Sequence, residues 1–367
     1  MNSTKNIVLI LGNGFDMNLG RHTSYKDFWN TEHCPKSYPS PLIRHLNGKW
    51  SENLEAVKWY DLENELLNFY RYRVKTGRYD FLDTSDQRFL RRWGGDEKQN
   101  ILYYPQDQST IKRLHENKVL IMDASGYLHP NTDYYEDLQL TAVDRDHKAL
   151  ELIKTGLCNF LKDVDRDVTS KHSVALSTLC SVSQARENGD AVSVYTFNYT
   201  ALPCGYEDDL NPQYIHGRCK ENNIIIGTKD SEEFNSDYDF LQKSFDPDFK
   251  TPPVVSDLLN ADDVIIFGHS LGMNDSQYFK PFFSQQTNIQ NSKRKRITIF
   301  TKDEKSKLEI KRSLQQMTDY NLSLLNSLNE LEIITTDSIS KNGCPFKSFI
   351  ERYVTEKPLV RSLMTIG

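Results

Sequence analysis

The stretch Ile7-Val8-Leu9-Ile10-Leu11-Gly12-Asn13-Gly14-Phe15-Asp16 decides the fold. Its first five side chains are all apolar, and Ile7, Val8 and Ile10 are β-branched. A strand with one wet face would alternate apolar with polar residues. An uninterrupted run instead fits a parallel strand covered on both faces. The glycines that follow let the backbone turn tightly into a helix and approach a phosphate at its N-terminus. A dehydrogenase GxGxxG fingerprint would need a third glycine at position 17, which is Met17, and Gly20 comes three positions late. A strand-to-helix turn with Asp16 as N-cap explains the same residues without a ligand.

Working outward, four more segments read as covered strands: Ala191–Thr196, Ile224–Gly227, Val264–Phe267 and Ile297–Thr301, with Leu331–Thr335 as a sixth. Helical patterns separate the later ones, over Asp275–Gln286 and Lys302–Leu328. Alternating strands and helices predict an α/β fold, a Rossmann-like parallel sheet with helices on both faces. The region from 30 to 188 lacks such strands. Leu54, Val57, Leu62, Leu66, Phe69 and Tyr70 mark one amphipathic helix in it, and Ala149 to Val164 another. The segment Asp83–Pro130 is turn-rich, with a hairpin arm at Met122–Leu128. The predicted organisation is an α/β nucleotide-binding domain of residues 1–29 plus 189–367, interrupted by a mostly helical insertion, 30–188.

Composition narrows the class. The 367 residues carry 45 basic against 51 acidic side chains, a net charge of −6, which argues against electrostatic binding of nucleic acid. The basic run Lys293-Arg294-Lys295-Arg296 precedes an apolar run and fits the start of a strand better than a phosphate grip. No apolar run approaches a membrane span, and the polar start leads into five apolar residues only, too few for a signal peptide. Six cysteines without CxxC pairs read as reduced thiols. The expectation is a cytoplasmic protein that touches no membrane.

Three motifs could carry chemistry. Gly12-Asn13-Gly14 is the first. Gly268-His269-Ser270-Leu271-Gly272 is the second and matches the GxSxG nucleophile elbow. A hydrolase of that kind carries a histidine after its serine, and all nine histidines lie at or before 269. Ser270 is therefore read as lining a pocket at a strand's C-terminal end. The third is Thr196-Phe197-Asn198-Tyr199 with Ile215-His216-Gly217, an amide and an imidazole at loop positions suited to orienting water and accepting a proton. A turn-capping asparagine over a packed histidine is the bland alternative. Cys204, His216 and Cys219 fit no structural zinc spacing, and no GxxxxGK[ST] is present. Asp61 and Glu63, two apart on a helix, point about 200° away from each other and cannot jointly hold a nuclease metal.

Together the stretches Leu9–Phe28, Trp59-Tyr60-Asp61-Leu62-Glu63, Thr196–Thr200, Tyr214–Gly217 and Ile266–Phe283 resemble the AbiH family of bacteriophage abortive-infection proteins. The same blocks resemble the wider sirtuin-like NAD-binding fold, in which a glycine turn, a T-x-N loop, an H-G dipeptide and a G-x-S turn surround NAD. The resemblance implies His216 and Asn198 as catalytic residues. It implies Gly12, Asn13, Gly14, Phe15, Asp16, Thr196, Gly268 and Ser270 as cofactor-binding, with NAD as substrate and no metal. Two positions depart from the sirtuin pattern: Asp16 replaces a small or hydroxyl residue, and Thr200 replaces an aspartate. The zinc-binding cysteine quartet of deacetylating sirtuins is missing. The implied activity is hydrolysis of NAD to ADP-ribose and nicotinamide by an antiviral effector. The alternative is a non-catalytic nucleotide-binding sensor or scaffold of a defence system. Expected partners are NAD or a related nucleotide, a phage-derived trigger or defence protein, and further copies of the chain.

Overall fold

The apolar run that opens the chain forms a strand, β1 (Asn6–Leu11), buried from Ile7 onward. The computed structural model describes residues 4–51, 61–77, 108–116, 118–126, 128–134, 136–164, 173–231, 233–290, 293–338 and 344–353. They fall into two compact units: residues 1–22, 167–215 and 250–367, and residues 23–166 and 216–249.

In the first unit β1 is joined by β2 (Ala191–Thr196), β3 (Gln213–Tyr214), β4 (Asp263–Phe267), β5 (Arg296–Thr301) and β6 (Glu330–Thr335). All five pairings are parallel, and the order across the sheet is β3-β2-β1-β4-β5-β6. Successive β1 side chains point to opposite faces, and each face is buried. Val8 and Ile10 join Val264, Ile266, Ile297 and Ile299 beneath helices Val254–Asn260, Ser276–Gln285 and Glu304–Met317. Ile7, Leu9 and Leu11 join Ile265, Phe267 and Phe300 beneath Val174–Glu187 and Cys344–Tyr353. This is the Rossmann-like α/β architecture that the covered-strand pattern predicts.

The sequence reading differs from the structure in three elements. Ile224–Gly227 is buried but is not a strand; it lies in the second unit, where its residues bond to loops. A four-residue apolar run reports burial and leaves strand pairing undecided. The sheet's remaining strand, β3, has only two residues and no apolar run to announce it. The helical pattern Lys302–Leu328 splits into Glu304–Met317 and Leu322–Leu328, because Asp319 and Tyr320 adopt left-handed backbone (φ 47° and 67°) between them.

The basic run braces the start of β5. Lys293 pairs with Asp262 at 2.5 Å, Arg294 with Glu330 at 3.3 Å, and Arg296 with Asp263 at 3.2 Å. Lys295 is buried and donates to the carbonyls of Leu259 (2.8 Å) and Ala261, closing the end of helix Val254–Asn260.

The second unit holds helices Pro41–Ser51, Leu62–Phe69, Gln108–Glu116 and Ala142–Val164. Leu62–Phe69 runs on as a π-helical turn, Tyr70–Val74. The first half of the amphipathic helix read from Leu54, together with Trp59 and much of Asp83–Pro130, lies outside the described residues. Strands Leu120–Met122 and Leu128–Pro130 pair antiparallel, so Met122–Leu128 spans the turn and its flanks. Asp146 is fully buried in this unit. It accepts from the Leu42 amide at 2.8 Å and the Tyr238 hydroxyl at 3.1 Å, and burial pushes its carboxyl up to about 7. Among the described residues no helix is long and apolar enough to cross a membrane.

Candidate functional site

Leu11 pairs with both Thr196 and Phe267, so β1, β2 and β4 end level and deliver three loops side by side. The β1 and β4 loops interlock through backbone. The Gly12 amide donates to the Phe267 carbonyl and the Gly14 amide to the Gly268 carbonyl, each at 2.9 Å. A Cβ on Gly12 would lie 2.6 Å from His269 Cα, and one on Gly14 2.8 Å from Gly268 Cα. Gly268 has φ +67°, and its Cβ would meet the Phe15 amide nitrogen at 2.3 Å. The glycines are thus required by this close approach, whatever else they do.

Gly12 itself is the N-cap of the short helix Asn13–Asn18, which corrects the reading of Asp16 as its cap. Asp16 is one turn in and 2% exposed. Its carboxylate pairs with Arg21 Nη1 at 3.1 Å and accepts the Thr200 hydroxyl at 2.5 Å. Arg21 Nη1 also donates to the Ala201 carbonyl at 2.7 Å. The two departures from the sirtuin pattern are therefore partners. Asp16 carries a charge already balanced inside the protein, and it ties the β1 loop to the β2 loop. A buried ion pair with further hydrogen bonds tolerates burial that a lone carboxylate would not.

Asn198 is buried beside them. Its Nδ2 donates to the Gly12 carbonyl at 3.1 Å, and its amide donates to Thr196 Oγ1 at 3.1 Å. Phe15 packs edge-on against Phe267 in the core, with ring centroids 5.6 Å apart. Asn13, the first helical residue, is half-buried, and Ser270 is exposed. Next to Ser270, His269 is buried against Phe197. Its Nδ1 accepts from the Leu271 amide at 2.9 Å, which leaves the ring proton on Nε2, 3.4 Å from Asp275 Oδ2. Nothing in the sequence marks Arg21 or His269 for chemistry: Arg21 stands in no motif of its own, and His269 fills a variable place of GxSxG.

His216 belongs to the second unit. The residue after it, Gly217, has φ +73°, and a Cβ there would fall 1.9 Å from the Asn223 carbonyl oxygen, so the H-G dipeptide admits only glycine at its second place. The His216 carbonyl accepts from the Ile225 amide at 2.8 Å. The side chain is 4% exposed, with Lys243 Nζ 3.1 Å from Nε2. Lys243 is 1% exposed and pairs with Glu63 Oε1 at 2.9 Å. Glu63 comes from the Trp59–Glu63 block, whose chemical partner no spacing indicates.

Among the described residues no three or more His, Cys, Asp or Glu side chains are grouped to hold a metal ion. A family model described as "Bacteriophage abortive infection AbiH" matches residues 8–300. No curated protein and no solved structure matches the chain.

Proposed function

This chain belongs to the AbiH family of bacteriophage abortive infection proteins, with a role in phage defence, and we propose that it acts there by binding NAD at the carboxyl ends of β1, β2 and β4 and hydrolysing it. One observation carries the binding reading. The strand order β3-β2-β1-β4-β5-β6 reverses direction between β1 and β4, and the two interlocked glycine turns emerge there. Doubly wound sheets of this order take dinucleotides at that switch point. Asn198 supplies a polar group in the adjacent loop.

The reaction breaks the bond between nicotinamide nitrogen and ribose C1′. Water adds at C1′, and the products are nicotinamide, ADP-ribose and a proton. As in glycoside cleavage, the transition state has oxocarbenium character. Nicotinamide leaves as a neutral molecule, so no strong general acid is needed. In this reading Asn198 orients the water or the ribose, and His216, on the sirtuin-like resemblance, accepts the proton.

Purified protein incubated with NAD, and infected cells expressing it, are assayed for nicotinamide and ADP-ribose. NAD loss during infection that His216→Ala abolishes is the expected result; intact NAD in protected cells would sink the reading. A second reading, nucleotide sensing without turnover, is favoured by the Asn198 side-chain Nδ2 being engaged with the Gly12 carbonyl. It requires NAD to bind and protection to survive in His216→Ala. Protection lost in Ser270→Ala but kept in His216→Ala would instead revive a serine hydrolase.

A further inference from the structure

The His216 ring is held by a charge that the proposed chemistry does not use. Lys243 Nζ lies 3.1 Å from His216 Nε2 and 2.9 Å from Glu63 Oε1. An ammonium has three hydrogens and no lone pair, so it can only donate. The Glu63 carboxylate favours that charged form at a site nearly closed to water. A neutral imidazole has one lone pair, and facing an ammonium that lone pair must be on Nε2. The ring proton is then on Nδ1. A second proton would set an imidazolium against the ammonium with little water to screen them, which is unfavourable.

One short segment fixes both side chains. The Ile225 amide bonds to the His216 carbonyl at 2.8 Å, and three residues on, the Thr228 carbonyl accepts from the Lys243 amide at 2.9 Å. Between them Gly227 lets the chains meet: a Cβ there would lie 2.8 Å from the Leu241 carbonyl oxygen and 2.9 Å from the Lys243 nitrogen. This explains why Ile224–Gly227 is apolar and buried without being a strand. It is the frame that sets the lysine against the histidine.

We infer that Lys243 is a positioning residue that, balanced by Glu63, keeps His216 neutral with its proton on Nδ1 and its lone pair spent inside the protein, so that in this state His216 is restrained from acting as a base. The inference rests on the reading of His216 as the base in NAD cleavage. An effector that consumes a host metabolite must be idle at rest, and a base without a usable lone pair meets that need. Activation then requires that Lys243 withdraw from Nε2.

The test uses full-length protein carrying ring-¹⁵N histidine, with His216 assigned by His216→Gln. The wild type should show a pyrrole-type Nδ1 and a pyridine-type Nε2. In Lys243→Met the signals should move to a mixture of tautomers. Glu63→Gln/Lys243→Met, which leaves no carboxylate stranded, should match it if the single variant folds poorly. In the same two proteins resting NAD turnover should rise about 100-fold, the low end of what a positioned base contributes, and adding His216→Gln should remove the gain. A proton on Nε2 in the wild type would overturn the inference. So would ring signals in both Lys243 variants that stay as they are in the wild type, or turnover that is measurable in the wild type and falls in them. The expected ring signature with no NAD cleaved by any protein would uphold the hold of Lys243 on His216 and dismiss the NAD reading.

Discussion

Gly268→Ala tests whether the sheet's two glycine turns are held by backbone contact. The new methyl carbon would lie 2.3 Å from the Phe15 nitrogen, 2.4 Å from Gly14 C and 2.6 Å from Gly14 Cα. All three are backbone atoms, so no side chain can swing aside and one loop must move. Overpacking of this kind costs about 1–3 kcal/mol. The left-handed φ of +67° costs an alanine about 1 kcal/mol more. Separating the loops also weakens the 2.9 Å bond from the Gly14 amide to the Gly268 carbonyl, worth about 1 kcal/mol. The expected loss is therefore about 3–5 kcal/mol, a large part of the 5–15 kcal/mol that a typical domain has. Gly189→Ala is the control. It lies in the same unit with φ +101° but has nothing within 4 Å of its Cβ, so only the conformational cost of about 1 kcal/mol remains. Urea unfolding followed by circular dichroism gives both values, and calorimetry with NAD should find binding lost in Gly268→Ala alone. If Gly268→Ala costs no more than Gly189→Ala, the close approach does not hold the loops and the reasoning fails.

Arg21→Met should destabilise the protein by about 3–5 kcal/mol, because it strands the buried Asp16 carboxylate; Asp16→Asn/Arg21→Met should recover most of that in the same urea assay. Asp146 holds its proton to about pH 7 when folded, against 3.8 as an unperturbed carboxyl. Between those values the folded state binds the extra proton, so stability is greatest below the window and falls as pH rises through it, by on the order of 4 kcal/mol. Unfolding midpoints measured across that range should flatten in Asp146→Asn, and an unchanged slope would show that another group titrates. Tyr353→Phe removes a hydroxyl that donates to Asp263 at 3.1 Å, where Asp263 also faces Arg296. It should cost about 1–3 kcal/mol and speed hydrogen exchange in helix Cys344–Tyr353 ahead of the sheet.

Fold class was legible in the sequence because a strand covered on both faces must be apolar at every position, and Ile7–Leu11 and Val264–Phe267 are. That constraint is local and survives without knowing which strand lies beside which. The glycines were legible as special, but only the structure gives their reason: Gly12, Gly14 and Gly268 let two loops meet, and Gly217 lets a turn pass beneath Asn223. Strand order was not legible, since β3 is two residues long and Ile224–Gly227 carries the apolar signal of a strand while bracing a loop. Least legible of all were the partners of charge. Asp16 looked like a misfit beside a phosphate until Thr200, 184 positions on, and Arg21 closed around it. Nor does any spacing bring Lys243 to His216, yet the fold sets its Nζ 3.1 Å from the ring's Nε2. Local sequence sets which surfaces must be buried, because burial follows each side chain's own transfer free energy. It leaves open which charge meets which, because electrostatic pairing depends on distance and shielding from water, and only the folded chain supplies those.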